Sequence, residues 1–302
     1  MPTPFPITID ADKIATVTIE QPGKPVVVLN IELLQRLEAS LASLPRDLRG
    51  LILASNSRAF IAGADLKAMC DLSDEQLRKY IEYGARVAGM IPRLGCPSVA
   101  AINGAALGGG LELAMHCDGL VAAPPPQGKD GAPGKAYPVG LPEAGLCICP
   151  GWGGTNLLPA RMDPAEAIRR TAVGRPFTFD EGRDAGLFDA VAPAAPALLD
   201  TAKAWLKGQS QRTTAQRDGA PWRWIGRSCK SEVLKGLNTV KQENPRGEPA
   251  QAVLDAVDIG LSHGWERALA REQEHLYHLR NQPAAKAAIQ AFFAKSVPPP
   301  KG

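Results

Sequence analysis

The sequence predicts an α/β protein whose carboxy-terminal third is mostly helical. Short apolar and β-branched runs, typical of buried strands, alternate with segments of helical periodicity through about residue 160. From Asp163 onward nearly every segment has helical periodicity. Strands that alternate with helices in this way favour parallel pairing with right-handed crossovers.

The elements of the first half follow from local patterns. Turn residues at 21–23 separate the predicted strands within residues 7–29, the second of which covers Val26–Leu29. Asn30 can cap the next helix, in which leucines recur at helical spacing. Further helices are predicted from 73 to about 94 and over 111–115. Buried strands are predicted over 50–54, 97–103 and 119–123.

The second half contains predicted helices over 165–172, 194–207, 250–280 and 284–295. The polar stretch 208–220 is predicted to be a mobile connector. The stretch 123–138 contains three consecutive prolines, which a helix or central strand does not accommodate, so we expect an exposed loop there. The tail 298–302 is expected to fray.

Composition excludes several classes of protein. The 302 residues are 45% hydrophobic and 22% charged, as in an ordinary globular protein. The net charge of +3 gives no indication of nucleic-acid binding. The six cysteines lack paired metal-ligand spacing, so we expect reduced thiols, no metal site and a cytoplasmic location. No leader pattern and no apolar run of membrane length is found, so a membrane protein is not expected.

Glycines are concentrated in three segments, and each has a possible chemical role. In PSVAAINGAALGGGLELAM, residues 97–115, a strand leads through glycines into a helix, whose free amides suit an anion. In AFIAGADLKAM, residues 59–69, a strand again ends in a loop of small residues. Two such loops could form an oxyanion hole, although glycine could equally serve turn geometry alone.

The third segment, GLPEAGLCICPGWGGT at residues 140–155, places Glu143 in a turn before several glycines. Glu112 lies just inside the helix of the first segment. Paired carboxylates can act as general acid and base. Spacing alone leaves open the alternative that both are solvated glutamates.

Taken together and in this order, the three segments resemble the crotonase superfamily of enoyl-CoA hydratases and isomerases over roughly residues 7–207. The segments PGKPVVVLN and EHLYHLRNQPAAKAAIQAFF are most similar to the hydratase portion of multifunctional fatty-acid oxidation proteins. The resemblance implies a crotonase-like spiral of ββα units over residues 1–195 and a helical region over 196–302. It also implies a homotrimer or a dimer of trimers.

The resemblance assigns roles by position. Ala64 and Gly109 would supply the two amides that bind a thioester oxygen. Glu112 would be the general base, Glu143 would deliver a proton to the α-carbon, and Gly151 would help to hold the water. The acyl-CoA would contact a set of residues around the first loop: Arg58, Ala62, Asp65, Leu66 and Lys67. Coenzyme A enters as part of the substrate, and no separate cofactor is implied.

Cys147 departs from the family pattern, which usually has glycine at this position.

The remaining polar residues are interpreted as surface features. His275 and His278 have no third ligand and are predicted to be solvated. The string of Arg267, Arg271, Glu272 and Glu274 is predicted to be a surface ion-pair pattern.

Three functions remain open at this stage. The leading prediction is hydration of a trans-2-enoyl-CoA to a 3-hydroxyacyl-CoA, because both glutamates are present. The second is isomerisation of a 3-enoyl-CoA to a 2-enoyl-CoA, which needs mainly Glu143. The third is a subunit of a larger complex that binds CoA thioesters with little catalysis of its own.

Overall fold

The computed structural model describes residues 2–126, 134–210, 219–227 and 229–296. The strands are β1 (Ile7–Ile9), β2 (Ile14–Ile19), β3 (Gly50–Ser55), β4 (Ser98–Ile102), β5 (Ala106–Leu107), β6 (Gly119–Ala122), β7 (Pro138–Gly140), β8 (Phe177–Thr178) and β9 (Ala190–Val191). The helices of the first part are α1 (Ile31–Ala42), α2 (Leu66–Asp71), α3 (Asp74–Ala88), α4 (Gly109–Met115), α5 (Gly154–Leu157), α6 (Pro164–Val173) and α7 (Phe179–Asp184). The carboxy-terminal helices are α8 (Leu198–Lys207), α9 (Lys230–Glu243), α10 (Glu248–His263), α11 (Trp265–Arg280) and α12 (Pro283–Ser296).

The main sheet has the strand order β1-β2-β3-β4-β6-β9. From β2 to β9 every neighbouring pair is parallel, and β1 pairs antiparallel with β2. Strands β3, β4 and β6 are buried along almost their entire length. Buried parallel strands read as continuous apolar runs, which is why these three were recognisable in the sequence.

A smaller sheet has the order β5-β7-β8, and its strands come from the segments after β4, after β6 and before β9. A single bridge joins Ile61 to Ala106, and another joins Leu29 to Ala64. The prediction of a strand over Val26–Leu29 was therefore wrong. The backbone of this segment bonds to the first glycine loop instead, since Ala62 N donates to Val27 O and Leu29 N donates to Gly63 O.

Local signals set the helix ends. The Asn30 side chain accepts from Leu33 N and caps α1, as predicted. Ser73 and Gln76 form a capping box at the start of α3. The helix predicted to run to about 94 ends at Ala88, and a short 3-10 turn containing Pro92 follows.

The structure has two helices where the sequence predicted one. The continuous helix expected over 250–280 is broken at Gly264, whose φ is +88°. This positive φ reverses the chain, so α11 packs along α10. Helix α9 was not predicted from the sequence.

The carboxy-terminal helices pack on different parts of the molecule. Helix α8 packs on β3, β4 and β6 through Leu198, Ala202 and Leu206, so it extends the core beyond residue 195. Helices α9 and α10 form an apolar cluster with α6. Helix α12 lies against the 3-10 turn Glu143–Leu146. This region therefore covers one of the three glycine-rich segments.

Parts of three predicted segments lie outside the described residues: 127–133 of the proline-rich loop, 211–218 of the connector, and the tail. Among the helices that the structure describes, none is long and apolar enough to cross a bilayer.

Candidate active site

A cavity of about 320 Å³ lies where the three glycine-rich segments meet. Predicted site residues from each of them line it: Ala62, Ala64, Leu66, Gly109, Glu112, Glu143 and Gly151. Most of the remaining wall is apolar, including Met69, Tyr80, Ile81, Leu146 and Leu276. A concave apolar site with a few convergent polar groups is typical of small-molecule binding.

Two backbone amides are presented to this cavity in the same way. Ala64 follows Gly63, whose φ is +109°, and Gly109 follows Gly108, whose φ is +52°. Both φ values favour glycine, which turns each chain so that the next amide is exposed. Among the described residues, neither amide donates to a protein acceptor. The pair is therefore available to a ligand oxygen.

Glu112 projects from α4 and is only 3% exposed. Its Oε1 accepts hydrogen bonds from Trp152 N and Gly154 N, both at 2.8 Å. A carboxylate that accepts two amide hydrogen bonds is stabilised in its charged form. The third segment thus folds around the side chain that the first segment supplies.

Glu143 begins the 3-10 turn after β7. The residue as a whole is half-buried, while its Oε2 is fully buried and has no hydrogen-bond partner among the described residues. A methyl group built on Gly108 would lie 2.5 Å from Oε1 of Glu143. The missing side chain at Gly108 therefore makes room for this carboxyl group beside the amide of Gly109.

The same turn explains the departure at Cys147. Its φ of +58° places it in the left-handed conformation that ends the turn. Glycine adopts this conformation without a steric cost, whereas a residue with a Cβ is strained by roughly 1–2 kcal/mol. The left-handed conformation gives a physical reason for the glycine that the resemblance predicts at this position.

A third carboxylate, Glu272 on α11, lies behind the same segment. It is fully buried, so the prediction that it belongs to a surface ion-pair pattern was wrong. Its Oε2 accepts from Gly153 N at 2.5 Å, and its Oε1 accepts from Thr155 N at 2.7 Å. Successive amides from residue 152 to residue 155 therefore donate alternately to Glu112 and Glu272.

The three carboxyl groups affect one another's protonation. Burial, followed by the charges of Glu272 and Glu143, raises the pKa of Glu112 well above its usual value, and the amides of Gly154 and Trp152 oppose this rise. Burial raises the pKa of Glu143 to about 8 and that of Glu272 to about 7. Carboxyl groups coupled in this way share protons near neutral pH.

The predicted CoA-contacting residues are divided between the cavity and its surroundings. Ala62, Ala64, Leu66, Asp65 and Lys67 line a groove beside the cavity, together with Lys24, Phe292 and Phe293. Asp65 also caps α2, because its Oδ1 accepts from Ala68 N at 3.0 Å. Arg58 lies in a neighbouring depression that shares Gln21 and Lys24 with the groove. Lys24 and the two phenylalanines were not predicted as site residues.

Helical periodicity in the sequence indicates a buried position for Glu272, although its charged neighbours suggest a surface position. The buried residues of α11 include Ala268, Glu272, Leu276 and Leu279, which recur at helical spacing. The glutamate thus lies within the apolar stripe of its helix, while Arg271 and Glu274 pair on the outer side. His275 and His278 pair with Asp255 and Glu248.

A sequence model of the enoyl-CoA hydratase/isomerase family matches residues 10–216. The chain is 27% identical over 306 residues to the glyoxysomal fatty acid beta-oxidation multifunctional protein MFP-a of Brassica napus, a match covering 96% of this chain and 39% of that protein. It is also 27% identical over 304 residues to the peroxisomal fatty acid beta-oxidation multifunctional protein MFP2 of Arabidopsis thaliana, covering 95% of this chain and 39% of that protein. The chain therefore spans about two fifths of the length of these relatives.

Solved structures share the fold at low identity. An enoyl-CoA hydratase from Mycobacterium avium subsp. paratuberculosis K-10 superposes over all of both chains with a TM-score of 0.63 and 19% identity. An enoyl-CoA hydratase from Bacillus halodurans superposes over 94% of this chain and 98% of its own with a TM-score of 0.65 and 21% identity. These likenesses confirm the predicted crotonase-like α/β fold with a helical carboxy-terminal region.

Proposed function

The chain belongs to the enoyl-CoA hydratase/isomerase family, and from this premise we propose that it hydrates trans-2-enoyl-CoA to 3-hydroxyacyl-CoA. The observation that carries the proposal is the meeting of Glu112, Glu143 and the amides of Ala64 and Gly109 in one apolar cavity. A hydratase needs a base, an acid and an oxyanion site around one thioester, and these four groups can supply them.

The proposed reaction places the thioester oxygen between the two amides. Glu112 takes a proton from water as the water oxygen bonds to C3, and the electron pair of the C2–C3 double bond moves toward the thioester as an enolate. The amides of Ala64 and Gly109 stabilise the negative oxygen, and loss of one such donor costs about 3–4 kcal/mol in a comparable site. Glu143 then gives its proton to C2, and transfer of the proton from Glu112 to Glu143 restores the starting state.

The hydrogen bonds support this division of roles. Burial raises the pKa of Glu112, and the two amides at Oε1 act against this rise and so favour the charged form that a base requires. Oε2 of Glu143 is buried without a protein partner among the described residues, which favours the neutral acid. Gly151 lines the cavity next to this pair, where its amide could orient the water.

We propose that the CoA portion lies in the groove beside the cavity. Lys24 and Lys67 place two cations there, and Phe292 lines both the groove and the cavity. Cations at a groove rim suit the phosphates of coenzyme A. Coenzyme A would thus arrive as part of the substrate.

The direct test is the loss of enoyl absorbance when purified protein is mixed with trans-2-enoyl-CoA esters of short, medium and long acyl chains. We expect turnover with at least one chain length, and a 10²–10⁴-fold lower kcat for Glu112→Gln and for Glu143→Gln. Unchanged absorbance with every ester would overturn the proposal.

The unpartnered Oε2 of Glu143 also favours a second candidate, isomerisation of a 3-enoyl-CoA. One carboxyl group that moves a proton between C4 and C2 is sufficient for that reaction. Glu112→Ala separates the two candidates, because a hydratase should lose most activity while an isomerase that relies on Glu143 should retain it.

A further inference from the structure

Glu272 is a buried carboxylate whose hydrogen bonds all go to the loop beside the cavity. Its two oxygens accept from Gly153 N and Thr155 N, which lie 119 and 117 positions away in the chain. Burying a carboxylate costs several kcal/mol unless it is well bonded, so an apolar residue would be cheaper at a site without a function. Among the described residues, Glu272 supplies the only side-chain acceptor for these two amides.

Helix α11 contacts this loop at further points on either side of Glu272. Gln273 Nε2 donates to Gly151 O at 3.2 Å. A Cβ built on Gly151 would lie 2.9 Å from Leu276 Cδ1, and one built on Gly153 would lie 2.3 Å from the Trp265 ring. The loop is therefore held between Glu112 on its cavity side and α11 on the other.

We infer that Glu272 is a positioning residue of the hydration reaction, which fixes the loop Gly151–Thr155 so that two of its amides hold Glu112 in place. This inference rests on the proposed function. Glu272 does not line the cavity, so it acts through the loop and through its charge rather than by contact with substrate.

The charge of Glu272 gives the inference a readout that simple packing would not give. From the core, Glu112, Glu143 and the buried thiol of Cys149 lie near it, and its charge helps to raise the pKa of Glu112. Charged groups on neighbouring elements include Asp255 of α10, Arg78 and Glu82 of α3 near Tyr277, and the exposed Lys286 of α12. Asp255 is paired with Arg271 and His275. Removal of the Glu272 charge should therefore lower the pKa of Glu112.

The test compares Glu272→Gln with Glu274→Gln, a matched control two positions away whose exposed side chain pairs with Arg271. In Glu272→Gln we expect kcat for enoyl-CoA hydration to fall about 10- to 100-fold with KM within about threefold. The acid limb of the kcat profile should move to lower pH. Glu274→Gln should match the wild type. Equal kcat and an acid limb that stays in place or moves upward would overturn the inference.

Amide hydrogen exchange followed by mass spectrometry tests the same point without substrate. The amides of residues 152–155 should exchange at least about tenfold faster in Glu272→Gln than in Glu274→Gln, because the NH2 group of Gln cannot accept and one of the two bound amides loses its acceptor. Unchanged exchange would overturn the inference. If the wild type hydrates no enoyl-CoA, the proposed function fails, and the exchange result still decides whether Glu272 fixes the loop.

Glu272→Asp keeps the inference testable if Glu272→Gln folds poorly. The shorter carboxylate retains the charge and weakens the reach to the two amides. We expect a lower kcat with the acid limb at the wild-type pH. A wild-type kcat in this variant would overturn the positioning role.

Discussion

At the scale of single residues, the backbone of Gly108 decides where the carboxyl group of Glu143 can lie. Its φ of +52° and ψ of −130° are accessible to glycine almost alone, and the adjacent Oε1 occupies the space of a side chain. The sequence predicted this loop as a donor site from its glycines. It could not predict that Gly108 contacts Glu143, because the two are brought together only by the pairing of β5 with β7.

Gly108→Ala should lower kcat/KM for enoyl-CoA hydration by about 10²-fold, because the methyl group displaces Glu143 and turns the Gly109 amide. It should also destabilise the protein by about 1–3 kcal/mol through backbone strain. Steady-state kinetics and thermal unfolding measure both effects.

Gly186→Ala is the matched control. Gly186 also has a positive φ, +77°, but a Cβ there meets no atom within 4 Å. The control should lose stability while keeping its activity. Equal activity loss in both variants would mean that strain alone explains the effect.

The protonation of Glu143 predicts the alkaline side of the pH profile. Burial raises its pKa to about 8, and the proposed mechanism requires its proton. The wild-type kcat/KM for hydration should therefore fall as pH rises through about 8, where the proton is lost. A rate that keeps rising from pH 7 to pH 9 would contradict the assignment of Glu143 as the acid.

At the scale of elements, the longer buried strands and the capped helices α1 and α3 were predictable, and the placement of the carboxy-terminal helices was not. Local apolar runs and the Asn30 cap are sufficient to recognise β3, β4 and α1. Helix α12 lies against the Glu143 turn through contacts between residues far apart in the chain, which no local pattern encodes. The same holds for the clamp that α11 forms on the loop at Gly153.

Helix α12 should contribute to substrate binding through Phe292. This side chain lines both cavity and groove, whereas Phe293 lines the groove alone. Phe292→Ala should raise KM for enoyl-CoA esters about three- to tenfold, because apolar contact with the ligand is lost, with kcat within about twofold.

Phe293→Ala serves as the matched control. The change that it causes in KM should depend less on the length of the acyl chain than the change caused by Phe292→Ala. Steady-state kinetics with short and long esters distinguishes the two variants. An unchanged KM in Phe292→Ala would show that α12 does not contact the bound substrate through this side chain.

At the scale of the whole molecule, three buried carboxylates from α4, the Glu143 turn and α11 meet beside the cavity. Two of them stand beside glycine-rich loops in the sequence, and the family resemblance predicted their catalytic roles. The third is attached to no such loop, and its role depends on how α11 packs against the core. Carboxyl groups buried close together destabilise the folded protein, so such a cluster is typical of a functional site.

That cost should depend on pH. Burial raises the pKa of Glu272 to about 7 in the folded state, from an unfolded value near 4.5. The stability that comes from its protonated form is complete below the unfolded pKa and is lost as pH rises through about 7. Between pH 4.5 and about pH 7, the free energy of unfolding of the wild type should fall by up to about 3 kcal/mol relative to that of Glu272→Gln. This figure corresponds to about 1.4 kcal/mol per pKa unit.

Denaturant unfolding at a series of pH values measures this difference. Glu274→Gln should follow the wild-type curve throughout. Parallel curves for wild type and Glu272→Gln would show that Glu272 has an ordinary pKa in the folded protein.

In the proposed reaction, Glu112 and Glu143 add solvent water across the double bond of a trans-2-enoyl-CoA. Turnover in water enriched in oxygen-18, with product mass measured, tests it most directly. We expect a 3-hydroxyacyl-CoA that carries one solvent oxygen, formed by the wild type and nearly absent with Glu112→Gln. Recovery of the enoyl-CoA without solvent oxygen, or equal labelling by wild type and Glu112→Gln, would contradict it.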